Sequence, residues 1–198
     1  KNKKILVTGG TGTFGKTFIK KILLNYNPKK IAIFSRDEHK QYEMKNSIDF
    51  KRYLKKLRFF IGDVRDKERI NLALADGYDY IVHAAALKHI DIAEYNPFET
   101  VKTNILGTYN IVEGSMNYKV KKIIVLSTDK AVMPKNLYGA TKLVMEKIVN
   151  AANNYNDTKK IAFSCVRYGN VMGSRGSVIP KFLNQKKKGK FYLTDIRS

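Results

Sequence analysis

Six short apolar runs, rich in β-branched residues, alternate with stretches of helical pattern. The runs lie at 4–8, 30–34, 57–61, 80–83, 122–126 and 160–166. Apolar runs of that length read as strands buried on both faces. The stretches at 13–25, 37–47, 66–75, 98–117 and 138–155 read as helices. Their punctuation is Asn25-Tyr26-Asn27-Pro28, Gly77 and Pro97. So regular an alternation admits few solutions, and it predicts an α/β fold with a doubly wound parallel sheet and helices on both faces. Ligands of such sheets bind outside the carboxyl ends of the strands, where the strand order reverses. The loops after each strand are therefore where chemistry is expected. Beyond residue 166 the pattern turns loop-rich, with a further helix near 178–188 and a short apolar run at 191–193. This predicts a nucleotide-binding domain over 1–166, and over 167–198 the truncated beginning of a smaller substrate-binding region.

Charge raises a second possibility. The 198 residues carry 38 Lys plus Arg against 17 Asp plus Glu, for a net charge of +21. The excess is +12 over residues 1–60, −3 over 61–120 and +12 over 121–198, and 30 of the 38 basic residues are Lys. Nucleic-acid recognition favours Arg in clustered patches. A Lys bias spread over solvated faces therefore predicts no nucleic-acid partner. The single Cys165 excludes an internal disulfide and points to a reducing, cytoplasmic compartment. The cysteine and the three histidines (His39, His83 and His89) are too few for a zinc module, and no metal is expected. No apolar run approaches the ~20 residues of a membrane span, so no membrane insertion is expected.

Between the first strand and the first helix runs Thr8-Gly9-Gly10-Thr11-Gly12-Thr13-Phe14-Gly15, with Gly9, Gly12 and Gly15 three apart. In this strand–turn–helix setting the glycines let a pyrophosphate approach the backbone. The free N–H groups of residues 11–15 then point at it from the helix N-terminus. The arrangement is Rossmann-like and predicts a dinucleotide cofactor. The second strand runs into Ser35-Arg36-Asp37-Glu38, with Lys40 a turn later. Arg36 can offer a planar fork to a 2′-phosphate and Lys40 adds charge, which favours NADP over NAD. Asp37 and Glu38 equally suit a helix N-terminus. After the third strand, Asp63-Val64 can meet the adenine end, although Asp63 would also serve as a helix cap. Ala84-Ala85-Ala86 after the fourth strand lets a ribose lie close to the backbone. His83 reads as a packed strand-end side chain.

The fifth strand enters Ser127-Thr128-Asp129-Lys130, and Tyr138-Gly139-Ala140-Thr141-Lys142 follows on a helix. Tyr138 and Lys142 are i and i+4 and share a face. An ammonium beside a phenol should lower its pKa from about 10 and make it a general base.

These segments, with Gly62-Asp63-Val64-Arg65-Asp66, His83 to His89, Ala93-Glu94-Tyr95-Asn96-Pro97 and Arg167-Tyr168-Gly169-Asn170-Val171, resemble the extended short-chain dehydrogenase/reductase superfamily. Within it they look like the inverting UDP-N-acetylglucosamine 4,6-dehydratases of pseudaminic acid biosynthesis. The resemblance implies an enzyme that keeps NADP bound, borrows a hydride and returns it. Tyr138, helped by Lys142 and Thr128, would take the 4-OH proton as C4 is oxidised. Lys130 would remove the C5 proton, and Asp129 would protonate the leaving 6-OH. Hydride return to C6 and reprotonation of C5 on the opposite face complete an inversion. The resemblance also implies that Asn104 shapes the active-site end of its helix. Lys88, Asn170, Val171 and Arg175 would contact a UDP-hexosamine such as UDP-N-acetylglucosamine, and the protein would be a homo-oligomer. A UDP-sugar 4-epimerase or a retaining dehydratase would use the same Tyr and Lys. An epimerase has no need of the Asp129-Lys130 pair.

Overall fold

The computed structural model describes residues 1–155, 161–172, 178–187 and 189. The chain divides into two compact units, Lys1–Tyr168 and Gly169–Ser198. The first holds a six-stranded parallel sheet of β1 (Lys4–Thr8), β2 (Lys30–Ser35), β3 (Leu57–Ile61), β4 (Tyr80–His83), β5 (Lys122–Leu126) and β6 (Ala162–Val166). The strand order is β3-β2-β1-β4-β5-β6, so the winding reverses between β1 and β4. In the second unit the described residues include one helix, Val178–Lys187. The apolar run at 191–193 lies outside the described residues.

Strand period sends alternate side chains to opposite faces. Ile5, Val7, Ile31 and Ile33 pack on one face with Ile19 and Leu23 of α1 (Thr13–Asn25), Met44 of α2 (Glu38–Asn46) and Phe50 of α3 (Ile48–Lys51). Leu6, Ala32, Phe34, Ile81 and Ile123 pack on the other. There they meet Ile70 and Leu74 of α4 (Lys67–Leu74), Ile111 of α7 (Gly107–Asn117), and Met145 and Val149 of α8 (Leu137–Ala152). Both faces of the central strands are covered, which is why those runs show no polar alternation.

Two short helices escape the sequence pattern: α3 and α5 (Ile90–Tyr95). The expected continuous helix over 98–117 is also interrupted. It comprises α6 (Pro97–Val101), a π-helical turn at Lys102–Leu106, and α7. Asn104, at the centre of the wide turn, is 1% exposed. Its amide donates to the Leu87 carbonyl and accepts from the Leu87 N–H, both at 2.9 Å. A widened turn of this kind is a recurrent feature of functional sites.

Candidate active site

Parallel register brings the strand ends level. Thr8 pairs with Phe34 and with His83, Ser35 with Ile61, and Leu126 with Val166. The loops after β1 and β4 therefore meet at the reversal point. Gly9 adopts φ +64°, and a Cβ there would sit 2.8 Å from the Ala84 carbonyl carbon and the Ala85 nitrogen. Only glycine allows the two loops to close in this way.

The first turn of α1 is built differently from its neighbours. Asp37 caps α2 by accepting from the Lys40 N–H, and Asp66 caps α4 by accepting from the Arg69 N–H. Each of these helices also carries a Glu in its first turn. α1 starts after Gly12 with no capping side chain and no acid in its first turn. Its N–H groups at Thr13, Phe14 and Gly15 thus face an end with no resident anion, next to the buried Thr11. This fits a pyrophosphate.

Around the expected ribose end, Arg36 is exposed, with Nη1 3.5 Å from Asp63 Oδ2. Lys40 Nζ lies 2.5 Å from Asp37 Oδ2. Asp37 serves as the α2 cap, and its carboxyl is held below the usual range chiefly by its Lys40 bonds. Ser35 is buried, and its hydroxyl accepts from the Gln41 amide at 2.9 Å. Asp63 does not cap a helix; it receives the Arg65 side chain at 2.9 and 2.7 Å. Those bonds and Arg36 hold its carboxyl low against the opposing effect of burial. Val64 is buried beneath α7 against Gly107.

His83 is fully buried, and its hydrogen bonds fix its tautomer. Thr108 Oγ1 donates to the Asn104 carbonyl at 2.7 Å, so at 3.1 Å it accepts from His83 Nε2. Nδ1 then accepts from Thr8 Oγ1 at 2.7 Å. The Thr8 oxygen in turn receives the Ala84 and Ala85 N–H groups at 3.2 and 3.3 Å. Burial, then the Lys142 charge, pushes the imidazole down to about 3. His83 is packed, as its place at the strand end predicts, and it also links the Ala84–Ala86 loop to the π-helical turn. From that turn the Asn104 amide donates to Thr141 Oγ1 at 3.1 Å, one turn of α8 beyond Tyr138.

The loop after β5 carries the densest chemistry. Thr128 Oγ1 donates to Asp129 Oδ1 at 2.9 Å, and Lys130 Nζ reaches the same oxygen at 3.1 Å. Both bonds hold the Asp129 carboxyl below the usual range, the Thr128 bond most. Asn136 caps α8 through the Gly139 N–H at 2.9 Å. Gly139 packs directly on the Lys130 carbonyl, where no Cβ fits. That close approach sets Tyr138 beside the loop, a role for Gly139 that spacing alone did not indicate.

One expectation needs correcting. Burial holds the Tyr138 phenol above its ordinary value, and Tyr168 and Asp129 add to this. The opposing influence is the Thr128 hydroxyl, not Lys142. The Lys142 amine is instead drawn beneath the strand end, where it donates to the Leu126 carbonyl at 2.7 Å. Burial lowers it to about 8. Helical spacing puts the two residues on one face but does not say where a four-carbon stem ends.

The structure thus brings together the glycine loop, Ala84–Ala86, Asn104, Thr128, Asp129, Lys130, Tyr138 and Lys142 at one edge of the sheet. Phe14 stacks on Tyr168 at 6.5 Å across that edge. Lys88 is exposed on the loop after β4. Asn170 and Val171 are exposed at the start of the second unit, and Arg175 lies outside the described residues. Sequence reading also missed the partners of a buried carboxylate: Glu146, one turn after Lys142, binds Ser127 and Arg167.

The profile of a family described as polysaccharide biosynthesis protein matches residues 5–197. The chain belongs to the polysaccharide biosynthesis protein family. A curated UDP-N-acetylglucosamine 4,6-dehydratase (inverting) of Campylobacter jejuni is 56% identical over 180 residues, covering 91% of this chain and 52% of the relative. A UDP-glucose 4-epimerase of Rickettsia rickettsii is 46% identical, covering 96% of this chain and 55% of the relative. The X-ray structure of Pen from Bacillus thuringiensis superposes with a TM-score of 0.94 at 43% identity, covering 99% of this chain and 61% of that one. The chain thus spans about half the length of the curated polysaccharide biosynthesis relatives it matches. No helix among its described residues is long and apolar enough to cross a membrane.

Proposed function

We propose that this chain carries the dinucleotide-binding and catalytic residues of a UDP-N-acetylglucosamine 4,6-dehydratase that inverts C5. The observation that carries the reading is the hydrogen-bonded Asp129–Lys130 pair beside Tyr138. A 4-epimerase has no use for a second acid and base, whereas an elimination of water needs both.

The uncapped first turn of α1 and the Gly9 loop would hold the pyrophosphate of NADP, and Arg36 with Lys40 its 2′-phosphate. When bound, that group supplies hydride acceptance at the sugar C4 and hydride return at C6. The chain's own residues manage the protons. Thr128 orients the 4-OH and Tyr138 takes its proton. Lys142, held on the Leu126 carbonyl one turn of α8 from Tyr138, supplies positive charge beneath the strand end. Asp129 and Lys130 together hold one proton across 3.1 Å. As an ion pair they have the wrong protonation for their tasks. A bound sugar that excludes water disfavours the charges and moves the proton from Nζ to Oδ1. The neutral amine then removes the C5 proton, and the neutral acid gives its proton to the departing 6-OH. Lys88, on the loop after β4, would meet the nucleotide sugar.

The test is product NMR from UDP-N-acetylglucosamine with the whole protein in D2O. The reading expects a 4-keto-6-deoxy product with deuterium at C5 and no net NADPH. Steady NADPH accumulation overturns it. A 4-epimer formed without loss of water would instead establish the second reading, which the Rickettsia likeness favours.

A further inference from the structure

We propose that Glu146 and Arg167 form a charge pair that positions the catalytic loop and sets the proton affinity of Lys142, an assignment that rests on the reading of Tyr138 and Lys142 given above. α8 grips the end of β5 at two points. Lys142 and Glu146 are one turn apart on α8, and they hold consecutive residues at the end of β5. Lys142 Nζ donates to the Leu126 carbonyl at 2.7 Å, and Glu146 Oε1 accepts from Ser127 Oγ at 2.5 Å. The next residues are Thr128, Asp129 and Lys130, so this double grip sets where the loop begins.

Arg167 completes the clamp from β6. Its guanidinium donates to both carboxylate oxygens of Glu146, at 2.8 and 2.6 Å. The fork geometry fixes the end of β6, whose backbone pairs with the same loop. Ser127 N donates to the Val166 carbonyl at 2.8 Å and Asp129 N to the Tyr168 carbonyl at 3.2 Å. Glu146 is buried, its side chain 6% exposed, while Arg167 reaches solvent. A carboxylate so placed is retained only because it is paired.

Among the described residues no carboxylate is hydrogen-bonded to the Lys142 ammonium. The groups around it are few. His83 on β4 is neutral, the Cys165 thiol on β6 is pushed up to about 11 by burial, and Tyr138 lies on its own helix. Glu146 favours its charged form against the cost of burial. Arg167, bonded to both oxygens of that carboxylate, offsets part of its attraction for the ammonium. Removing one member leaves a net charge nearby, and the sign depends on which is removed. Loss of the carboxylate leaves Arg167 and lowers the Lys142 pKa. Loss of the guanidinium leaves Glu146 and raises it.

Glu146 and Arg167 are therefore positioning residues, and opposite-signed shifts separate a charge role from a scaffold role. The experiment measures kcat/KM against pH for the whole protein. Glu146→Gln should move the alkaline limb down by about one unit, and Arg167→Gln should move it up by about one unit. Glu146→Asp should return the limb toward its original place. Limbs that move the same way, or do not move, overturn the proposal. If Glu146→Gln does not fold, the upward shift in Arg167→Gln still decides the matter. Tyr138→Phe is the control for the underlying reading. Loss of turnover in Tyr138→Phe with unmoved limbs rejects this inference alone, while normal turnover in Tyr138→Phe rejects the reading beneath it.

Discussion

Replacing Gly139 with Ala adds one methyl group at the point where α8 touches the loop after β5, the loop proposed to be catalytic. The added Cβ would overlap the Lys130 carbonyl oxygen and approach the Lys130 carbonyl carbon and Pro134 Cβ to 3.1 Å each. Backbone cannot rotate away as a side chain tip can. Relief therefore requires the loop and α8 to separate by about an ångström, the scale of a lost van der Waals contact. The N-terminus of α8 is pinned by the Asn136 cap on Gly139 itself, so the loop is the part that gives way. Overpacking of this kind costs about 1–3 kcal/mol of stability. For a chain of this size that lowers Tm by about 2–4 °C per kcal/mol. A displacement of about 1 Å between reacting groups costs on the order of 100-fold in rate. The expected result is a protein that melts a few degrees lower, binds dinucleotide normally and turns over about a hundredfold more slowly. Calorimetry, a dinucleotide titration and product NMR on the whole protein measure the three quantities. Normal turnover at an unchanged Tm would falsify the argument that this contact sets the geometry.

Three further outcomes follow from the proposed reading and the geometry together. Lys130→Met and Asp129→Asn should each reduce 4,6-dehydration by at least about 100-fold, with dinucleotide affinity unchanged in a titration; parallel loss of affinity would indicate a folding defect. Arg36→Ala should weaken NADP binding by about tenfold or more and leave NAD binding nearly unchanged, because only the former carries a 2′-phosphate. Equal losses by calorimetry would remove Arg36 from that role. His83 is fully buried with its pKa near 3, well below the 6.5 of an unfolded chain. Its contribution to stability is intact above pH 6.5 and declines as pH falls toward 3, because only the unfolded chain takes up the proton. The slope is about 1.4 kcal/mol per pH unit, read from urea denaturation at several pH values. His83→Gln should lose that slope, and an unchanged slope would show that the imidazole titrates normally.

The sheet was legible because each central strand is buried on both faces, so Ile5-Leu6-Val7 and Ile31-Ala32-Ile33-Phe34 stand out as unbroken apolar runs. The placement of the glycine loop and of Tyr138 and Lys142 was legible because it is local: a turn of fixed length and one helical face. What was lost depends on distant partners. The direction of the Lys142 amine is set by Leu126, sixteen residues away, and the burial of Glu146 by Arg167, twenty-one away. α5 gave too weak a signal, since Ile90 and Ile92 are exposed and only Ala93 is buried. The π-helical turn left no mark because one extra residue in a turn changes no residue type.

That widened turn has a consequence for how this region can change. An α-helix advances about 100° per residue, so one added residue rotates everything before it against everything after it by about that angle. Thr100 on one side, and Thr108, Ile111 and Ser115 on the other, are all buried only because that offset is present. A single-residue deletion within 102–106 would restore a regular helix and swing α6 round to present a different face. The stretch should thus tolerate changes in length poorly: here the number of residues specifies the fold alongside the buried contacts of Asn104.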